Sequence, residues 1–138
     1  ERWDPRRWSY AAEAEEQLVR SGIPKERAIL AVPKDTEVQR TFESALAVRE
    51  ALRLRGLQPK SLNLFTRGAH ARRSRLVYAR VFGAEIEVGV IAWHPPGFDS
   101  EPWWKSSERA VDLLKETFGW LWERVFGSAR KLWQPAGQ

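Results

Sequence analysis

The segment Thr66-Arg67-Gly68-Ala69-His70-Ala71-Arg72-Arg73 concentrates side chains able to do chemistry. An imidazole exchanges a proton near neutral pH. A guanidinium grips phosphate or carboxylate with two parallel hydrogen bonds. Thr66 adds a hydroxyl, and Gly68 lets the backbone turn tightly or approach a ligand. His70 and Arg73 are three residues apart, so on a helix they share one face of its first turn. Thr41 and Glu43 open the preceding helix, with Glu43 able to act as a base or to orient His70. This set suits an anion, a phosphoryl or nucleotide-like group, held beside a proton-transfer residue. The same residues also fit a purely structural arrangement, in which His70 caps its helix and Glu43 pairs with Arg73.

The pattern around these residues alternates strands and helices. Apolar spacing predicts helices from about Ser9 to Arg20, from Thr36 to Arg55, from Ala71 to Phe82 and from Ser107 to Phe126. Thr36 and Gln39 fit a capping box, and Val38, Phe42, Ala45 and Leu52 form the second helix's stripe. Val111, Leu114, Phe118, Leu121 and Val125 form the stripe of the last helix. Continuous apolar runs predict buried strands at Ala28–Val32, Ser61–Phe65 and Glu85–Trp93, parallel in one sheet with both faces covered. The expected fold class is therefore α/β, a three-layer αβα sandwich with a mainly parallel sheet. In such sheets ligands sit beyond the carboxyl ends of the strands, where the Thr66–Arg73 segment lies. The free amides of a helix start favour an anion there. The topology also carries Thr41 and Glu43 to that edge.

The whole composition suits one globular domain over residues 1–138. The 138 residues are 43% hydrophobic and 30% charged, with eight tryptophans and a net charge of +5. The positive balance fits an anionic partner or a solvated basic face. Cysteine is absent, which excludes disulfides, thiolate metal sites and a cysteine nucleophile. His70 and His94 are the only histidines and stand far apart in sequence, so no metal is expected. The sequence has no Gly-x-Ser-x-Gly elbow and no phosphate-binding Walker loop. Arg67, Arg72, Arg73, Arg75 and Arg80 form a basic run, but only Tyr78 lies among them, which argues against nucleic acid. Trp103, Trp104, Trp120 and Trp122 cover the sheet or line a partner or lipid surface. No apolar run reaches the length of a transmembrane helix.

Read together, these segments resemble the YdcF/SanA/ElyC family, bacterial proteins grouped under a domain of unknown function. The resemblance spans about Ser9 to Trp122. Its most specific part is Thr-Ser-x-x-His-x-x-Arg after a strand, in which Thr66, His70 and Arg73 match and Arg67 replaces the serine. Arg40-Thr41-Phe42-Glu43-Ser44 stands for Asn-Thr-x-Glu-Asn and keeps Thr41 and Glu43. Ser9-Tyr10-Ala11 stands for Ser-Glu-Ala, Gly22-Ile23-Pro24 for the turn after the first helix, and Glu116 and Gly119 match the last helix.

The resemblance implies a Rossmann-like fold and a role in cell-envelope biogenesis, in peptidoglycan or lipid-carrier metabolism. The expected activity is binding or processing of a phosphate-bearing or nucleotide-like ligand; the resemblance also admits S-adenosylmethionine as that ligand. The expected site is His70 and Glu43 as catalytic residues, with Thr41, Thr66, Gly68 and Arg73 binding the ligand. The resemblance points to the cytoplasm or to the inner membrane and periplasm. The family's first strand and glycine-rich loop have no counterpart in this sequence. The chain is thus expected to be the C-terminal part of a longer one, self-associating through a bare sheet edge. The competing expectation is a non-catalytic interaction module with a degenerate pocket, favoured by the losses at Tyr10, Ser44 and Arg67.

Overall fold

A computed structural model of the chain describes residues 10–34, 38–94, 96 and 102–127. It is mixed α/β, and it divides into two compact units, Glu1–Gln58 and Pro59–Gln138.

In the first unit, α1 runs Tyr10–Arg20 and α2 runs Arg40–Leu54. Both end in the same way. At the end of α1, Gly22 takes φ +91°, its N–H reaches the Val19 carbonyl, and the N–H of Ile23 reaches that of Leu18. Gly56, at φ +65°, repeats the arrangement after α2. Only glycine enters this left-handed region without strain, and the two bonds satisfy carbonyls that the helix end leaves open.

Three expectations change in this unit. Ala28–Val32 is half-buried but forms no strand. An apolar run becomes a strand only by pairing, and this one pairs with no other segment among the described residues. The helix α2 starts at Arg40 rather than near Thr36, after Gln39 in a left-handed conformation (φ 58°) that breaks the helical path. Val38 is accordingly exposed, while Phe42 and Ala45 are buried as expected. Thr36, the expected cap, and the tail beyond Gly127 lie outside the described residues.

In the second unit, β1 (Ser61–Arg67) and β2 (Glu87–Trp93) pair in parallel, from Ser61 opposite Glu87 to Arg67 opposite Trp93. The helix α3 (His70–Phe82) connects them, and α4 (Ser107–Val125) follows. Ser106 caps α4, its hydroxyl accepting the N–H of Arg109. In this register Leu62 and Leu64 share a sheet face with Val88 and Val90. That face packs against α3, which buries Ala71, Ser74, Val77 and Val81. This is the core of the unit.

The expected three-stranded sheet, buried on both faces, is thus a two-stranded sheet buried on one. Along β1 exposure alternates residue by residue. The second face carries Phe65, 75% exposed, with Ile91 and Trp93 about half exposed. The stripe of α4 also departs from expectation. Val111, Leu114, Phe118, Leu121 and Val125 are exposed, and the buried residue of α4 is Glu123. The cause is the partner helix: α3 presents arginines, so α4 turns its carboxylates inward and its apolar stripe outward. Trp103, Trp104 and Trp122 are likewise exposed rather than laid over the sheet.

Val77 is 1% exposed, so Val77→Ala should lower stability by about 2–3 kcal/mol through lost burial and the cavity left behind. Phe65→Ser should change it by less than about 0.5 kcal/mol. Urea unfolding midpoints of the two variants would check this contrast.

Candidate functional site

The last residue of β1, Arg67, leads through Gly68 and Ala69 into α3. The N–H of Gly68 bonds to the Trp93 carbonyl at 2.9 Å, which extends the pairing one residue and sets His94 opposite Gly68. Gly68 has φ +41°, and a Cβ placed there would meet the His94 ring at 3.6 Å. His70 stands two residues further on, as the first residue of α3.

One carboxylate from α4 holds this region. Glu116 Oε2 accepts from Arg73 Nε at 2.7 Å and lies 3.0 Å from His70 Nδ1; Glu116 Oε1 accepts from Arg73 Nη2 at 3.1 Å. Arg73 Nη2 also approaches His70 Nδ1 at 3.1 Å. The contact with the carboxylate calls for a proton on Nδ1, whereas a bond donated by Arg73 calls for the lone pair there. Burial alone would raise the pKa of Glu116, but the hydrogen bonds from Arg73 and His70 outweigh it and hold the carboxyl below its ordinary value. Gly119 leaves room for the Arg73 side chain: a Cβ there would stand 2.9 Å from Arg73 Cδ.

A cleft of about 1200 Å³ opens beside this cluster. Arg67, Gly68, Ala92 and His94 border it at the carboxyl ends of the two strands. Ala69 and His70 border it from the start of α3, and Ser106, Ser107 and Arg109 from the start of α4. Glu108, Asp112 and Glu116 contribute acidic side chains. Two helix N-termini and two parallel strand ends therefore face one space.

The structure unites some of the expected site residues. Gly68 and His70 border the cleft. Arg73 stands behind it, bound to Glu116. Thr66 lies on the sheet face shared with Leu62 and Leu64, opposite Ala92, and does not border the cleft. Thr41 and Glu43 are half-buried in the first turn of α2, in the Glu1–Gln58 unit. The residue that orients His70 is Glu116.

Sequence spacing carried a signal for this pairing. Arg73 and Arg80 are seven apart on α3, and Glu116 and Glu123 are seven apart on α4. They form two rungs, with Arg80 reaching the Glu123 carboxylate at 3.9 Å as well as the carbonyls of Glu123 and Arg124. His94 had no such signal; it joins the site only through strand register. The basic run is largely consumed by the fold. Arg72 lies over Trp120 at 5.4 Å, and Arg75 donates to the Val88 carbonyl at 2.9 Å. No group of three or more His, Cys, Asp or Glu able to hold a metal occurs among the described residues.

Comparison with family models, with curated proteins and with solved structures finds no match for this chain.

The lowered pKa of Glu116 fixes a pH signature. Its folded value lies below the ordinary 4.5, so its pairing stabilises the fold fully above that pH and is lost as pH falls through the lowered value. The stability gap between wild type and Glu116→Gln should be largest near neutrality and shrink as the pH falls through the lowered value. Denaturant melts at a series of pH values would read it; a gap independent of pH would remove the ion pair from the account.

Proposed function

We propose that the Pro59–Gln138 unit binds a small phosphate-bearing or nucleotide-like ligand in this cleft, with His70 as its proton-transfer residue. The observation that supports this most is the joint bordering of one cleft by the starts of α3 and α4, the carboxyl ends of β1 and β2, and an imidazole oriented by Glu116. Helix N-termini carry unpaired amides and a positive dipole end, which favour an anion. Arg67 adds a cation at the rim. With the Nδ1 side occupied by Glu116 and Arg73, Nε2 of His70 is the atom left to exchange a proton with a group in the cleft. Arg73 acts indirectly, by neutralising Glu116 and fixing its position. Processing of the ligand, if His70 carries it, is then proton transfer at an oxygen attached to phosphorus.

The order of matched residues extends the reading to a YdcF-like, Rossmann-like three-layer protein of the cell envelope, acting on peptidoglycan or lipid-carrier intermediates. In that fold the face bearing Phe65, Ile91 and Trp93 receives a further layer. A second reading, the non-catalytic interaction module, draws on one observation: the guanidinium of Arg73, which matches the family's anion grip, is already spent on Glu116.

Calorimetric titration with inorganic phosphate, nucleoside monophosphates and a polyprenyl diphosphate headgroup analogue separates the two. The proposal expects saturable binding that weakens with added salt. Arg67→Ala should cost about 1.5 kcal/mol of that binding, roughly tenfold in affinity. Absence of heat with every probe at millimolar concentration would leave the interaction module.

A further inference from the structure

The face of α4 opposite the arginine pairs meets the cleft only at its N-terminal end, where Val111 borders it. Val111, Leu114, Phe118, Leu121 and Val125 follow one another at intervals of three and four, the a and d spacing of a coiled-coil seam over two heptads. Along a helix this seam is about 21 Å long. Its members are 43–67% exposed, and Trp122 and Phe126, at 61% and 50%, widen it on one side. Such a stripe on a helix normally faces a core. Here the opposite side of α4 already meets α3 through Glu116 and Glu123.

We infer that this seam of α4 docks against the same seam of a second copy of the chain, forming a two-helix dimer contact. Three observations select that occupant. The three-and-four spacing is the pattern that seats knobs into the holes of another helix. The area suits a closed pair: the seven side chains expose on the order of 700 Å² of apolar surface per chain, close to the share each partner buries in a stable interface. The charges beside the seam are balanced, Glu108 and Asp112 against Lys115 and Arg124, all exposed. A balanced flank does not repel a copy of itself, whereas docking on an anionic bilayer calls for a predominantly basic one. In an antiparallel seating the stem of Lys115 lies beside Trp122 of the second copy, a contact of cation with ring.

The inference does not rest on the ligand proposed for the cleft, and sedimentation velocity of the whole chain over about 10–500 μM tests it. A monomer–dimer equilibrium is expected. Phe118→Lys, at the middle of the seam, should weaken it at least tenfold while leaving the far-ultraviolet spectrum unchanged, and the melting midpoint unchanged at dilutions where both proteins are monomeric, because that side chain touches solvent in the monomer. Phe65→Ser, on the open sheet face, should leave the equilibrium as it is. Since the chain lacks cysteine, a single Phe118→Cys variant should form a disulfide-linked dimer on mild oxidation. Four results would each overturn the inference. These are a monomer throughout the range, association abolished by Phe65→Ser instead, loss of the fold in Phe118→Lys showing the seam covered within its own chain, or a monomer that binds anionic phosphatidylglycerol vesicles.

Discussion

The second unit depends on one carboxylate. Glu116 is largely shielded from water, and an ionised group in that position is tolerable only with its hydrogen bonds supplied. Arg73 supplies two and His70 a third. Those bonds fix the rotation of α4 about its axis, because the carboxylate must face α3. Everything else on α4 follows: Glu123 comes to Arg80, Gly119 lies against the Arg73 side chain, and the apolar stripe points away. The same cluster holds the Nδ1 side of the imidazole. A structural tie and the orientation of the candidate proton-transfer group are therefore one interaction.

This arrangement gives the arginines of α3 a different meaning from the one their charge suggests. A basic helix with net positive charge around it invites an anion or a nucleic acid. Here Arg72 lies over a tryptophan ring, Arg73 and Arg80 hold α4, and Arg75 caps a strand carbonyl. Each has a protein partner, although Arg72 and Arg75 stay exposed to solvent. What remains for a ligand at the cleft is the rim, where Arg67 ends β1 and the two helix starts contribute their amides.

Local pattern was sufficient for α3 and for both ends of α4, and it identified β1, β2 and their parallel pairing. Spacing placed His70 and Arg73 on one helical face, but the carboxylate expected to meet them was Glu43, whereas the one that does is Glu116. Where pattern misled, the missing information was non-local. Ala28–Val32 has the apolar character of a strand, but strandedness is a property of a pair. The stripe of α4 shows which side is apolar without showing that this side faces its own core; that was decided by arginines 43 residues away. Phe65 and Trp93 read as buried because a continuous apolar strand looks two-sided, yet only one side has α3 upon it. His94 could be placed beside Gly68 only after the register of β1 and β2 was known.

The bond from Arg75 to Val88 has a further consequence. Glu87 and Trp93 direct their backbone groups toward β1, so in a regular strand Val88 directs its carbonyl outward, to the far edge of β2. The guanidinium of Arg75 occupies that acceptor. A polypeptide adding to this edge would have to displace a charged donor before it could begin to pair. Arg75 thus acts as a stopper at the far edge of β2.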